Sequence, residues 1–192
     1  MLEKIKKLRE KTGAGIVDIK KALSEADGNE EKAIEILRKK GLEKASKKAD
    51  RGTQEGIVVS YIHSNGRVGA MVKLLCETDF VARNEEFKAL ATDIAMHITA
   101  MNPQYTRPEE VSEKLVAKEK EIWVEQLKNE KKPEQIIPGI LEGKEKKFRA
   151  EVSLMTQSFV KNPEQTVEAL INEKIAKIGE NIQVGEFRRL EL

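Results

Sequence analysis

The dipeptide Asn65-Gly66 and the apolar segments on either side of it constrain the fold of this chain more than any other feature. GIVVSYIHS (56–64) and GRVGAMVKLLC (66–76) are rich in β-branched and other apolar residues, a composition that is typical of strands. Asn and Gly both tolerate the positive φ angles of a two-residue hairpin turn. The pattern therefore predicts an antiparallel β-hairpin with a two-residue turn at Asn65-Gly66.

The segment before the hairpin has the apolar spacing of helices instead. Its three short apolar runs are separated by the turn sequences TGAG (12–15) and ADGN (26–29). Asn29 is predicted to cap the third helix with its side chain, and Gly41 is predicted to lie just beyond the end of that helix. Residues 1–41 are therefore predicted to form a compact three-helix module.

The rest of the chain is predicted to be a linker, residues 42–55, and a larger domain, residues 56–192. ETDFVARN (77–84) is predicted to be a loop, and 181–192 a third strand with a bulge at Gly185. This order predicts an α+β fold, in which the helical module precedes a core of a three-stranded antiparallel sheet packed with helices. Apolar spacing predicts the helices of this core at about 85–101, 108–130, 133–149 and 164–179.

The composition argues against a membrane protein and against a secreted one. The chain has no apolar run of about 18 residues, which a membrane-spanning helix needs, and no charged start followed by an apolar signal segment. Its only cysteine, Cys76, can form neither an internal disulfide nor a multi-cysteine zinc site. A reducing cytoplasm is therefore expected, and Cys76 is predicted to be a core residue of its apolar strand.

The sequence contains none of the common motifs for nucleotide binding or metal catalysis. GxxxxGK[ST], GxGxxG and HExxH are all absent, and the two histidines, His63 and His97, belong to no cluster with metal-ligand spacing. The carboxylates are scattered over amphipathic helices, where solvent-facing acids are usual. An enzyme and a bound cofactor are therefore both unexpected, and a metal or thiol enzyme is the least favoured class of function.

Charge is distributed unevenly along the chain. Residues 1–51 carry 15 basic and 10 acidic residues, a net charge of +5, whereas the remainder has a net charge of −3. This segment is either an ordinary solvated helical surface or a surface that faces an acidic partner. An RNA- or ribosome-binding module is the alternative function that the asymmetry suggests, although the aromatic content of 4% and the interspersed acids argue against it.

ETDFVARN places an acid and an aromatic residue together between a strand and a helix. Phe80 either closes the core over the edge of the sheet or is exposed as an anchor for a partner, and the residues alone favour the core position. His97 lies on the flank of the apolar stripe of the following helix. This position predicts a boundary residue, which would also suit a place beside a partner-binding face.

Four segments together closely resemble the bacterial elongation factor Ts family, along almost the whole chain. They are TDFVARN (78–84), TGAGIVDIKKAL (12–23), MHI (96–98) and KIGENI (177–182). The resemblance implies a guanine nucleotide exchange factor for elongation factor Tu, the GTPase that delivers aminoacyl-tRNA to the ribosome. It implies no bond chemistry and no cofactor, because such a factor acts on the GDP and Mg²⁺ of its partner. It also implies a cytoplasmic protein with no membrane partner and no direct nucleic-acid partner.

The resemblance also implies an architecture and a set of contact residues. Residues 1–41 resemble the ubiquitin-associated-like module that docks on the GTPase, and residues 56–192 have room for one core subdomain, as in the short form of the family. Two copies of that form pair, which implies dimerisation through the core and a 2:2 complex. The C-terminal strand has no cysteine, so no disulfide from it can join the copies. The implied contacts are Thr78, Asp79, Phe80 and Val81 in an exchange loop, with His97 in support, and Arg9, Ile16 and Val17 in the N-terminal module.

Overall fold

The structure, a computed structural model, describes residues 2–130 and 132–192. Contacts divide the chain into two compact units, of which the first comprises the residues up to Met96 together with Glu168–Leu192, and the second is His97–Val167. The described helices are α1 (Leu2–Thr12), α2 (Ile16–Glu25), α3 (Glu30–Ser46), α4 (Asp79–Ala82), α5 (Glu85–Met101), α6 (Glu113–Asn129), α7 (Ile137–Glu151) and α8 (Val167–Ile178). The described strands are β1 (Glu55–Ile62), β2 (Val68–Cys76), β3 (Ser158–Phe159), β4 (Asn162–Thr166) and β5 (Ile182–Glu191).

Helices α1, α2 and α3 form the three-helix module. Each helix turns one apolar stripe toward a small common core and exposes its charged face, as the spacing predicted. Gly13 has a φ angle of +64° in the turn between α1 and α2, a conformation that glycine adopts without strain. The buried residues of this core include Ile5, Leu8, Ile19, Ala22, Leu23, Ala33 and Leu37.

The two predictions for the ends of α3 differ in outcome. Asn29 caps the helix as predicted, because its side-chain oxygen accepts a hydrogen bond from the Lys32 backbone N–H at 3.1 Å. The prediction that the helix ends before Gly41 is wrong, since α3 continues to Ser46. The residues after Gly41 include good helix formers, and the burial of Ala45 gives this added turn a packing contact.

Strands β1, β2 and β5 form the predicted three-stranded antiparallel sheet, in the order β1-β2-β5. Alternate residues of β2 are buried because successive side chains of a strand point to opposite faces. The pairing of β2 with β5 places Cys76 opposite Ile182 at one end of the sheet. The buried face of β2 consists of Ala70, Val72, Leu74 and Cys76.

The hairpin is confirmed, but the prediction of a two-residue turn is wrong. β1 ends at Ile62 and β2 begins at Val68, and of the central pair only Gly66 has a positive φ angle, +66°. Asn65 instead uses its side-chain oxygen, which accepts a hydrogen bond from the Arg67 backbone N–H at 3.0 Å. This local side-chain bond stabilises a longer turn in which only one residue needs the left-handed conformation.

The predicted bulge at Gly185 is confirmed. Val72 lies opposite Phe187 and Leu74 lies opposite Val184, so β5 contains one extra residue across this step. A Cβ atom at Gly185 would lie 3.3 Å from a backbone carbonyl oxygen of β2. Such a close approach of two backbones favours glycine.

The predicted helices of the core agree with the structure except at their ends. α5 spans the predicted range, whereas α6 begins at Glu113, after a separate turn of 3₁₀ helix at Pro108–Glu110. The start predicted for the last helix is wrong, because residues up to Thr166 form β4, which pairs with β3. These two strands are too short to show a period in the sequence.

Every helix in residues 2–130 and 132–192 is too short or too polar to cross a bilayer.

Within the second unit, α6 packs against α7. The rings of Trp123 and Phe148 meet edge to face, with 5.8 Å between their centroids. The Arg149 guanidinium donates to the carboxylates of Glu113 and Glu145 at 2.6 and 2.9 Å, and these bonds raise the pKa of Arg149. An aromatic pair and a shared arginine therefore join the two helices.

Candidate functional site

The segment between β2 and α5 contains a one-turn helix, α4, where the sequence predicted a loop. Residues Thr78–Val81, which we call the tip, are the predicted exchange residues. The Thr78 hydroxyl oxygen caps α4 by accepting a hydrogen bond from the Val81 backbone N–H at 3.4 Å. Ala82, at the end of the turn, is buried, so the C-terminal end of α4 is anchored in the core.

Phe80 is 81% exposed, so the interpretation in which it closes the core is wrong. Residues two positions apart lie about 200° apart around a helix, so the burial of Ala82 directs Phe80 away from the core. Asp79 pairs with Arg83 at 3.0 Å, and both of these charged groups are partly or largely exposed. The tip therefore presents an aromatic ring beside a carboxylate.

The carboxylate of Glu180 binds Glu77 and Thr78, the two residues that lead into α4, which we call the entrance to the tip. Its Oε2 atom accepts hydrogen bonds from the backbone N–H groups of Glu77 and Thr78 at 3.1 and 3.0 Å. Its Oε1 atom accepts the hydroxyl hydrogen of Thr78 at 2.6 Å. Hydrogen bonds to an ionised acceptor are stronger than those between neutral groups, so this side chain fixes the two residues that lead into α4.

The next residue, Asn181, is 2% exposed and also binds residues near the tip. Its side-chain Nδ2 donates to the carbonyl oxygens of Ala49 and Arg51 at 3.2 and 2.8 Å. Its backbone N–H donates to Glu77 Oε1 at 2.6 Å. These bonds join the entrance of the tip to the connection that follows α3.

The thiol of Cys76 lies in the core at the base of the tip, as predicted. Its Sγ donates to the Thr78 carbonyl oxygen at 3.2 Å. Burial, together with the nearby charge of Glu180, raises the pKa of Cys76 to about 11, so the group is a thiol at neutral pH.

Within the described residues, no three His, Cys, Asp or Glu side chains are arranged to hold a metal ion.

His97, in the second unit, is fully buried, so the boundary position predicted for it is wrong. The unpredicted β3–β4 hairpin covers the ring: Phe159 lies 6.0 Å away between centroids, and the Val160 backbone N–H donates to Nδ1 at 3.2 Å. Nδ1 is therefore unprotonated, and Nε2 donates its hydrogen to Gln157 Oε1 at 3.0 Å. Burial lowers the pKa of His97. Its contribution to partner binding stays a prediction.

The predicted contacts of the N-terminal module lie on its surface. Ile16 and Val17 begin α2 and are 46% and 66% exposed. Arg9 is exposed on α1, on the other side of the TGAG turn. Two large apolar side chains in solvent add little to folding, whereas apolar surface of this kind can be buried against a partner.

Sequence analysis missed Glu180 and Asn181 as candidate functional residues. KIGENI contributed to the resemblance, but nothing in its pattern indicates which groups the side chains bind. The signal lies in strand pairing: because Ile182 is opposite Cys76, the antiparallel register continued beyond the strand ends brings Glu180 to Thr78. That register has to be known before the contact can be inferred.

The similarity to known proteins extends over nearly the whole chain. The family model described as Elongation factor TS matches residues 4–192. The chain belongs to the elongation factor Ts family. Members of this family are translation elongation factors, so the chain acts in the elongation stage of protein biosynthesis.

Curated relatives named elongation factor Ts are similar to the chain over most of their own length. The protein from Fervidobacterium nodosum is 53% identical over 188 residues, which cover 98% of this chain and 95% of the relative. That from Carboxydothermus hydrogenoformans is 54% identical over 98% of this chain and 87% of the relative. The protein from Thermotoga neapolitana is 52% identical over 100% of this chain and 96% of the relative.

Replacing Phe80 by Ala is expected to leave the free energy of unfolding unchanged within about 0.5 kcal/mol, because the ring is exposed. Phe87→Ala is the matched control: this ring is fully buried, and its loss should cost about 3–5 kcal/mol. Urea unfolding followed by circular dichroism measures both. A large loss for Phe80→Ala would show that the ring is buried in solution.

Stability is expected to fall as the pH decreases from about 7 to below 6.5 because of His97. Its pKa in the folded protein is lower than in the unfolded chain, so the unfolded chain binds a proton first as the pH falls, which favours unfolding. The stability contributed by the neutral ring is thus present above the unfolded pKa of about 6.5 and lost below it. His97→Gln should flatten the dependence of the unfolding free energy on pH in this window. An unchanged slope would contradict the assignment.

Proposed function

We propose that this chain is a guanine nucleotide exchange factor that binds elongation factor Tu and promotes release of GDP by disturbing the Mg²⁺-phosphate site of that GTPase. Membership of a family of translation elongation factors supports this role. The observation that carries the proposal is the exposure of Phe80, 81%, on a tip that is held by hydrogen bonds to Glu180. An aromatic side chain held in this way is suited to enter an apolar pocket of a partner.

The proposed mechanism needs no contact with the guanine base. A GTPase holds its nucleotide through backbone amides around the phosphates, a lysine and Mg²⁺. When Phe80 enters a pocket between helices of the GTPase, with Asp79 beside it, the bound factor stabilises a conformation in which those contacts are broken. Linkage then requires that GDP weaken binding of the factor as much as the factor weakens binding of GDP.

The tip alone does not supply the whole effect. Burial of one Phe side chain contributes about 1.5–3 kcal/mol, which corresponds to one or two powers of ten in an equilibrium constant. The exposed residues of the N-terminal module, Arg9, Ile16 and Val17, are the proposed source of the remaining binding energy. His97 is buried, so in this proposal it supports the β3–β4 hairpin and the displacement indirectly.

The factor is proposed to work in the cytoplasm, without a cofactor and without bond chemistry of its own. Its proposed partner supplies both the nucleotide and the metal ion. The alternative function, an RNA- or ribosome-binding module, predicts binding to structured RNA that weakens steeply as salt is added. Such a titration, alongside the exchange assay, separates the two functions.

Stopped-flow release of fluorescently labelled GDP from elongation factor Tu tests the proposed exchange activity. The wild-type chain should accelerate release, and Phe80→Ala should reduce the acceleration by about 10- to 100-fold, because the buried ring is lost. Ile122→Ala, which truncates an apolar residue of α6 that is also half exposed, is the matched control and should behave as wild type. Failure of the wild-type chain to accelerate release would overturn the proposal.

A homodimer is proposed to form through the outer face of the sheet. Ile62 and Leu190 both lie opposite Gly69, and Met71 follows on the same face, so three exposed apolar side chains form one patch across the three strands. All three are at least 54% exposed. Two such faces can stack as the layers of a β-sandwich, which would give the 2:2 complex with elongation factor Tu.

Size-exclusion chromatography with light scattering tests the dimer. The wild-type chain should show about twice the chain mass of 21.7 kDa, and Met71→Glu should shift it to one chain mass, because a buried unpaired charge opposes stacking. Ile122→Glu places the same charge on α6 and should leave the dimer intact. A wild-type chain that is monomeric at every concentration would exclude this interface.

A further inference from the structure

We infer that Glu180 is a positioning residue for nucleotide exchange, which holds the tip in the conformation that presents Phe80. This inference rests on the proposed function. The carboxylate makes three hydrogen bonds, and all three go to the two residues that precede α4. In this inference Glu180 acts through the backbone that carries Phe80, because its hydrogen bonds fix the two residues that lead into α4.

The backbone at this point depends on an acceptor from elsewhere in the chain. β2 ends at Cys76 and α4 begins at Asp79, so the N–H groups of Glu77 and Thr78 lie between a strand and a helix. One oxygen of Glu180 accepts both of them. A buried or half-buried N–H group without an acceptor is unfavourable, so this pair of bonds favours a single path for the chain into the tip.

The third bond connects Glu180 to the cap of α4. The Thr78 hydroxyl donates its hydrogen to Glu180 and accepts from the Val81 backbone N–H. A hydroxyl has one hydrogen to donate, so its donation to Glu180 turns an oxygen lone pair toward Val81. The orientation of the one-turn helix, and with it the direction of Phe80, therefore depends on this carboxylate.

Residues 177–181, which include Glu180, also contact the three-helix module and the connection that follows it. Asn181 donates to carbonyl oxygens in the connection after α3. Lys177 pairs with Glu86 at the start of α5, and its side chain lies against Gly13 in the TGAG turn. Residues 177–181 thus contact both the tip and the N-terminal module, so the spacing between the two proposed contact surfaces for the GTPase depends on this segment.

Preorganisation explains why such a residue affects exchange. A tip that is already ordered loses little conformational entropy when the ring enters its pocket, whereas a mobile tip has to be ordered on binding. Removal of Glu180 should therefore reduce the contribution that Phe80 makes to the acceleration of GDP release. Because Glu180 acts only through the tip, Glu180→Ala should reduce the acceleration no more than Phe80→Ala does.

A double-mutant cycle tests this coupling in the GDP-release assay. Glu180→Ala should reduce the acceleration by about tenfold, because the tip then has to be ordered on binding, and it should cause no further loss in a Phe80→Ala background, because coupled residues are not additive. Glu180→Gln, which keeps the shape and one oxygen acceptor, should restore part of the acceleration. Losses that multiply in the double variant, or a Glu180→Ala chain as active as wild type, would overturn the inference.

Amide hydrogen exchange by NMR tests the positioning without the partner. Glu180→Ala should speed exchange at the Glu77, Thr78 and Val81 amides, while Glu173→Ala, which removes an exposed carboxylate from α8, should not. If the wild-type chain fails to accelerate GDP release, the proposed function fails, and this measurement still shows whether Glu180 holds the tip. Unchanged exchange rates at these amides would refute the positioning role. If Glu180→Ala does not fold, Glu180→Gln replaces it in both experiments, with a smaller loss of acceleration and a smaller increase in these exchange rates as the expected results.

Discussion

The antiparallel pairing of β2 with β5 is the constraint on which the rest of the candidate site depends. It places Cys76 opposite Ile182 at the end of the sheet, so the residues just outside both strands meet there. Glu180 and Asn181 approach the entrance of the tip as a consequence of this register. The buried side chains of β2 stabilise this pairing. The geometry of the tip therefore depends on the same strand that contributes to the hydrophobic core.

The proposed contact surfaces coincide with three groups of exposed apolar residues in the first unit. Phe80 projects from the tip, Ile16 and Val17 lie on the N-terminal module, and a patch that includes Met71 lies on the outer face of the sheet. Each is next to well-buried structure, so exposure does not reflect a poorly formed core. Exposed apolar surfaces of this kind are typical of sites that bind another protein.

Local patterns in the sequence predicted most of the elements, and the failures have specific causes. The cap of α3 and the apolar period of α5 are local properties of the sequence. The cap was predicted correctly at Asn29, and the period predicted the range of α5. Gly41 was misassigned because a glycine can also lie within a helix when the following residues continue it. His97 was placed at a boundary because the β3–β4 hairpin that buries it is too short to be recognised in the sequence.

The sequence by itself determined most of the helices and strands, the α+β order and, through four segments that include TDFVARN and KIGENI, the resemblance to the family. These properties depend on residues that are close together in the chain, where spacing and turn chemistry operate. Only the tertiary structure decided that Phe80 is exposed and that Glu180 binds the residues that lead into the tip. Both results depend on contacts between residues about a hundred positions apart, and such contacts follow from strand register, which no local pattern specifies.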